Sequence, residues 1–307
     1  MSAEAQRGAS PAVGVAVIVL TCNQRRQTLA MLSSLFESDP GPVEVLVWDN
    51  GSSDGTVDAV REAFPQVTAH HCESNLGVAS GRNAGAALAM EKWSPARLLF
   101  LDNDMEVEHG FVTRLAEAFL DDPKVGQVQA KLRFMHDRRR LNDGGGCRIN
   151  FLTGDTVPVG YDEVDRGQYD AVKPCVACGG AMMVRSDVFQ SLEGFDSRFD
   201  PFGPEDLDFS LRLQRAGFKA LFIPTAVAYH MVSHTYGAGY SSDYARHKVG
   251  HWLTFLGRHG SLPQKAGFYL VGAPYAALRL VIREGRRGNF GAVAGVVRGL
   301  VERVTGR

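Results

Sequence analysis

Three apolar runs in this chain end in the same manner. Val13 to Leu20 leads into Thr21-Cys22-Asn23, Val43 to Trp48 into Asp49-Asn50-Gly51-Ser52, and Arg97 to Leu101 into Asp102-Asn103-Asp104. Near-continuous apolar runs of this length belong to strands buried on both faces, and such strands occur in parallel sheets sheathed by helices. The segments between them have helical spacing: Gln24 to Glu37 sets Leu29, Leu32, Leu35 and Phe36 on one stripe. Further helices are expected at Thr56 to Phe64 and Gly77 to Glu91, with a short strand at Val67 to His71. The alternation predicts an α/β fold whose sheet is covered on both sides. In an open sheet of this kind ligands bind outside the carboxyl ends of the strands, so the three polar ends should line one crevice.

Beyond Asp104 the alternation loosens. A helix is expected at Phe111 to Leu120 and a strand at Val125 to Leu132, whereas residues 133–174, rich in Asp, Gly and Arg, suggest an irregular hairpin or a mobile loop. Order returns with a strand at Gly179 to Arg185, a helix at Glu205 to Ala216 ended by Gly217, and a strand at Ala226 to Tyr229 that leads into His230.

A chain of 307 residues with 45 % apolar and 22 % charged residues has the composition of an ordinary folded protein. Its five cysteines are an odd number in a chain too large to need stapling, which points to a reducing compartment. Cys175 and Cys178 form a C-x-x-C without the second pair that a zinc site needs. The first residues contain an acid and no apolar core of a signal peptide, so a short flexible leader and a cytoplasmic location are expected. The net charge of −1 hides an asymmetry: from Arg246 to Arg307 eleven Lys or Arg face two acids, Glu284 and Glu302. That basic, apolar-rich segment is too short in its apolar core to span a bilayer and suggests surface helices. Two partners are open for it, the cytoplasmic face of a membrane or a second subunit in a homodimer.

The chemistry sits at the strand ends. In LLFLDNDMEV two carboxylates one residue apart repel each other, and a hard divalent ion such as Mg²⁺ or Mn²⁺ would relieve the repulsion while bridging phosphates. Neither a G-x-G-x-x-G fingerprint nor a P-loop is present, so phosphates must be held by the metal and by side chains. Asn75-Leu76-Gly77-Val78-Ala79-Ser80-Gly81-Arg82-Asn83 opens a helix with small residues that permit close backbone approach, and Arg82 is placed to face a diphosphate. Glu205, Asp206 and Asp208 crowd the first turn of another helix, more acids than a helix dipole requires.

Taken together, VAVIVLTCNQ, VEVLVWDNGSSDGT, SNLGVASGRNAG, LLFLDNDMEV, GGAMMVRSDVF and GFDSRFDPFGPEDLDFSLRLQRAGFKALFIPTAVAYH resemble, in order, the motifs of the family 2 glycosyltransferases, and in particular their rhamnosyltransferase-like bacterial members. The resemblance implies a GT-A fold, Rossmann-like with a mostly parallel sheet, plus a C-terminal helical extension. It implies an inverting, metal-dependent enzyme that moves a sugar from a UDP- or dTDP-sugar to a hydroxyl of a glycan, lipid-linked or small-molecule acceptor, with no nucleic-acid partner. Thr21, Asn23, Asp49, Asn50 and Ser52 would contact the base and ribose, with Asn75, Gly77, Arg82, Asn83, Asp102 and Asn103 completing the nucleotide-sugar site. Gly179 and Gly180 would lie against the donor sugar. Asp104 and His230 would hold the divalent cation, Asp206 would be the catalytic base, and Glu205 would meet the acceptor. Cys22 and Cys178 depart from the family pattern, standing where an aromatic residue and Ser or Thr are frequent. The implied organisation is a leader at 1–11, a nucleotide-sugar-binding half at 12–105, an acceptor-binding and catalytic half at 106–245, and the basic extension at 246–307. Two other readings stay open on the residues alone: a sugar-phosphate nucleotidyltransferase and a non-catalytic nucleotide-sugar binder.

Overall fold

The computed structural model describes residues 14–39, 43–177, 179–232 and 241–305; the expected leader and Cys178 lie outside them. The first half alternates as its apolar runs require: β1 (Val15–Thr21), α1 (Arg25–Ser38), β2 (Glu44–Asp49), α2 (Thr56–Ala63), β3 (Thr68–His71), α3 (Val78–Trp93) and β4 (Arg97–Asp102). Next come β5 (Met105–Val107), α4 (Phe111–Glu117), β6 (Val125–Phe134), β7 (Leu141–Asp143), β8 (Cys147–Asn150), β9 (Asp155–Pro158) and β10 (Lys173–Pro174). They lead to β11 (Ala181–Arg185), α5 (Ser186–Ser191), α6 (Glu205–Arg215) and β12 (Lys219–His230). The basic segment forms α7 (Ser242–His259), α8 (Leu262–Gly267), a π-helical turn at Phe268–Gly272, α9 (Ala273–Arg286) and α10 (Phe290–Thr305).

The principal sheet runs in the order β10-β12-β6-β11-β4-β1-β2-β3. It is mixed: β1 is parallel to β2 and β4, β3 to β2, and β12 to β6, while β11 is antiparallel between β4 and β6. The strand order reverses at β1, whose neighbours β2 and β4 lie on opposite sides, and this is where an open sheet leaves a crevice. Register levels the strand ends, with Thr21 opposite Asp49 and Leu20 opposite Asp102.

Pleating assigns alternate residues to two cores. Val15, Val17, Val19, Val45, Val47, Leu99 and Leu101 pack with Met31, Leu32 and Leu35 of α1 and with Phe111 and Leu115 of α4. Ala16, Ile18, Leu46, Leu98 and Phe100 pack on the other face with Ala86 and Ala89 of α3, Phe189 of α5 and Phe209 and Leu213 of α6. Because both faces are covered, the strands carry no polar alternation. That is why their apolar runs are unbroken.

Two regions depart from the sequence expectation. Of the two readings of residues 133–174, a hairpin is what forms: β7 pairs with β6, and β8 with β9. The charges that suggest a loop are internal partners, with Lys131, fully buried, bonded to Asp165 (3.1 Å) and Asp170 and with Arg133 at 2.7 Å from Asp165. The strand expected at Ala226 to Tyr229 is the end of the longer β12, whose irregular register around Pro224 masks its first half in the sequence. Cys175 is buried, and burial pushes its thiol up to about 12.

The extension is fastened to the body through Asp208. This carboxylate is fully buried on α6, where Oδ2 accepts from Arg212 Nε (2.7 Å) and Oδ1 from Arg258 Nη1 (2.7 Å) and His259 Nε2 (2.8 Å) of α7. α10 lies close along α7, where a Cβ at Gly295 or Gly299 would strike the backbone at Ser242 or Arg246. Truncating one member of a buried ionic cluster leaves the others uncompensated. Asp208→Ala should therefore lower the free energy of unfolding in urea by about 3 kcal/mol; a loss within experimental error would mean that α7 is not held by this contact.

Candidate active site

Outside the carboxyl ends of β1, β2 and β4 lies a cleft of about 300 Å³. Of the residues singled out from the sequence, Thr21, Asn50, Asn75, Gly77, Arg82, Asp102, Asn103, Asp104 and His230 line it. Side-chain amides staple its walls. Asn50 Nδ2 donates to Asn75 Oδ1 (2.8 Å) and to the Gly77 carbonyl (3.0 Å), while its Oδ1 accepts from Leu76 N–H (3.1 Å). Asn103 Nδ2 donates to the hydroxyls of Thr21 (2.9 Å) and Thr28 (3.2 Å).

Asn23, Asp49, Ser52 and Asn83 are not on that wall. Asp49 is fully buried, where it accepts from Ser52 N–H (3.2 Å) and the Ser52 hydroxyl and pairs with His71 Nδ1 (2.6 Å). Ser52 Oγ accepts in turn from Asn23 N–H (2.7 Å), and Asn23 Oδ1 from Ser53 N–H (2.8 Å). These residues shape the loop beside the cleft. Both ends of the Asn83 amide are committed to the backbone of Phe195, at 2.7 and 2.9 Å, which ties α3 to the segment before α6.

The amino end of α3, whose small residues permit close backbone approach, already holds an anion of this chain. Asp200 Oδ1 accepts from Ala79 N–H (2.9 Å), and Oδ2 from Ser80 N–H (3.2 Å) and the Ser80 hydroxyl (2.5 Å). Gly77, with φ of +91°, is required here because any Cβ would collide with Asp200. Arg82 faces the cleft with its terminal nitrogens already engaged: Nη2 lies 2.7 Å from Asp102 Oδ1 and Nη1 lies 3.0 Å from Glu205 Oε1. It bridges the two sides of the site instead of waiting alone for a diphosphate.

Ligand atoms of Asp102, Asp104 and His230 lie within 4.8 Å of one another. Sheet register brings them together, since Met105 of β5 pairs with His230 of β12 and Met231 N–H donates to the Asp104 carbonyl (3.0 Å). His230 Nε2 is 3.3 Å from Asp104 Oδ1, and its Nδ1 is held by Asn142 Oδ1 at 3.0 Å. Burial would lower the His230 pKa, but the hydrogen bond and charge of Asp104, with Asp102 beyond, carry it upward. Two carboxylates and an imidazole whose far nitrogen is fixed by a partner form a donor set suited to a divalent ion.

Glu205 and Asp206, on the first turn of α6, are not on the cleft wall, nor are Gly179 and Gly180; Glu205 is joined to it through Arg82. Asp206 Oδ1 accepts from Leu207 N–H (2.7 Å), and Oδ2 from Gly179 N–H. Gly180 has φ of +73° and a carbonyl that accepts from Asp102 N–H (2.7 Å); a Cβ there would run into Met105. Burial raises the Asp206 pKa further than the Arg82 charge and the two N–H donors lower it. Glu205 is buried with one oxygen on Arg82 and the other, Oε2, without a partner. Burial, and then the neighbouring Asp206, push Glu205 from 4.5 to about 8.

Sequence reasoning missed Asp200, Asn142 and His71, the groups that hold α3, His230 and Asp49. Asp200-Pro201 stood inside a quoted motif, but nothing local marks it as the partner of a helix 120 residues earlier in the chain. Asn142 lies in the segment that the sequence left irregular.

A family model described as glycosyl transferase family 2 matches residues 16–192, and one described as the N-terminal domain of galactosyltransferase matches residues 173–235. An N-acetylglucosaminyl-diphospho-decaprenol L-rhamnosyltransferase of Mycobacterium tuberculosis is 25 % identical over 260 residues, which cover 79 % of this chain and 84 % of that protein. An N-acetylglucosaminyltransferase of Rhizobium meliloti is 26 % identical over 73 % of this chain and 53 % of its own length. Among solved structures, GalNAc-T7 with UDP, GalNAc and Mn²⁺ superposes with a TM-score of 0.64 at 16 % identity, covering 83 % of this chain and 49 % of that one. The mannosyltransferase PcManGT from Pyrobaculum calidifontis, in complex with GDP-Man and Mn²⁺, gives 0.52 at 19 % identity, covering 94 % and 86 %. These two likenesses show the GT-A fold.

The raised Glu205 pKa has a consequence for stability. Between pH 4.5 and about 8 the unfolded chain releases this proton while the folded chain retains it, so stability falls as pH rises through that window and levels off above it. Glu205→Gln removes the effect. Its Tm should gain on that of the native chain as pH goes from 5 to about 8; a difference independent of pH would show that Glu205 is ionised throughout.

Proposed function

Since the chain belongs to glycosyl transferase family 2 and is a glycosyltransferase of the GT-A fold that uses a nucleotide-sugar donor, we propose that it inverts the anomeric centre of a UDP- or dTDP-sugar with Asp206 as base. The observation that carries this reading is the arrangement of charge: Asp102 and Asp104 line the cleft, and Arg82 ties Asp102 to Glu205, next to Asp206, so that among the described residues four carboxylates gather around Arg82 and, when protonated, His230. Such a site favours a further cation.

Asp104 and His230 would hold a divalent ion, Mg²⁺ or Mn²⁺, with a carboxylate oxygen of Asp102 nearby. When bound, the ion supplies charge that stabilises the departing nucleoside diphosphate. Thr21, Asn50 and Asn75 line the part of the cleft suited to the base and ribose, and Gly180, whose carbonyl accepts from Asp102 N–H, would border the donor sugar. Asp206 takes the proton of the acceptor hydroxyl as its oxygen forms the new bond to the anomeric carbon and the bond to the diphosphate breaks. The raised pKa of Asp206 suits a base that works near neutral pH. Glu205, beside it, is the residue placed to meet the acceptor, and Arg82 keeps Asp102 and Glu205 at fixed separation. The acceptor is a hydroxyl of a glycan, lipid-linked or small molecule; the mycobacterial relative's name specifies a lipid-linked diphospho-sugar for that protein.

Asp206→Asn should reduce turnover by about a hundredfold or more while leaving nucleotide affinity nearly unchanged. Calorimetry with UDP or dTDP and Mn²⁺ separates the two effects, and loss of binding together with turnover would remove Asp206 from the role of base. Asp104→Ala should weaken metal-dependent nucleotide binding by roughly tenfold or more. Identical affinity in the variant, with and without EDTA, would refute the metal role.

A further inference from the structure

The face of α9 is not that of an ordinary surface helix. Tyr275, Leu278 and Ile282 are 54 %, 60 % and 45 % exposed, and with Arg279 and Arg286 they line one open groove at helical spacings of three and four. The preceding π-helical turn exposes Tyr269, Leu270 and Val271. Clustered apolar exposure of this kind marks an interaction surface.

Charge decides between occupants. The two acids of the segment are already engaged: Glu284 is buried and accepts from Arg283 Nε (2.6 Å) and Asn289 Nδ2 (2.8 Å), and Glu302 pairs with Arg246 (3.2 Å). Among the described residues, Arg279, Arg286 and Arg298 make no ion pair. A symmetric dimer through this face would bring the Arg279 and Arg286 of both copies into one interface, and like charges brought together there are penalised. A layer of anionic headgroups accepts the same arginines. It also lets Leu278 and Ile282 sink to the acyl boundary while the guanidinium groups stay at the phosphates. No helix among the described residues is long and apolar enough to cross a membrane, so α9 would lie on the surface.

We propose that the Tyr275–Leu278–Arg279–Ile282–Arg286 face of α9 docks this protein onto an anionic phospholipid surface. The interaction is independent of the transfer chemistry and places the cleft at a bilayer.

The test is co-sedimentation of the full chain with phosphatidylcholine vesicles, with and without phosphatidylglycerol, at low and high NaCl. Binding should require phosphatidylglycerol and weaken as salt screens it. Arg279→Glu with Arg286→Glu should weaken it roughly 30-fold or more, and Leu278→Ser with Ile282→Ser by about tenfold or more. Both pairs are exposed, and circular dichroism and nucleotide binding check that each variant is folded; if one is not, the lipid and salt dependence of the native chain still decides. The proposal is overturned if the native chain ignores phosphatidylglycerol vesicles at low salt, or if either folded variant binds as the native chain does. A native dimer that the Leu278→Ser, Ile282→Ser variant converts to monomer, without vesicle binding, would assign the face to a second copy and overturn it equally.

Discussion

A guanidinium held between two carboxylates organises this molecule. Arg82 leaves the second turn of α3, reaches Asp102 at the end of β4 on one side and Glu205 at the start of α6 on the other, and is itself buried. Removing such charges from water is costly, and the cost is recovered only when geometry is good and the remaining polar atoms are satisfied. The recovery here is incomplete. One cation serves two carboxylates with Asp206 and Asp104 nearby, Glu205 Oε2 has no partner, and the carboxyls of Glu205 and Asp206 are both driven upward. A site left with excess negative charge is prepared for a cation and a proton, which is what glycosyl transfer needs on its two sides.

α6 divides its acids between two tasks. Glu205 pairs with Arg82 and Asp206 accepts from Gly179 N–H, whereas Asp208 is consumed by Arg212, Arg258 and His259. The helix that carries the proposed base is therefore also the attachment of the C-terminal helices.

Much of this was legible in the sequence, and for a clear reason. Doubly buried strands have unbroken apolar runs, so β1, β2 and β4 and the polar residues at their ends could be located within one or two residues. Residues that converge by strand order, Thr21, Asn50, Asp102 and Asp104, follow from those ends. Partners that meet through tertiary packing left no local trace. Asp200 capping α3, Asn142 holding His230 and Arg82 reaching Glu205 each join segments far apart in the chain. Nor does the sequence show that Asp49 and Asn83, which have the polarity of ligand contacts, also hydrogen-bond to His71 and Phe195. In residues 133–174, Asp165, a charge that suggests solvent, is buried against Lys131, which composition alone does not distinguish.

On the proposed function, a divalent cation would be held between Asp104 and His230. Anomalous diffraction at the manganese edge, from crystals soaked with Mn²⁺ and UDP or dTDP, tests it most directly. The account predicts a single strong peak within coordination distance of Asp104 and His230, with diphosphate oxygens completing the shell. A peak elsewhere, or nucleotide bound in the cleft with no manganese beside those two residues, would contradict it.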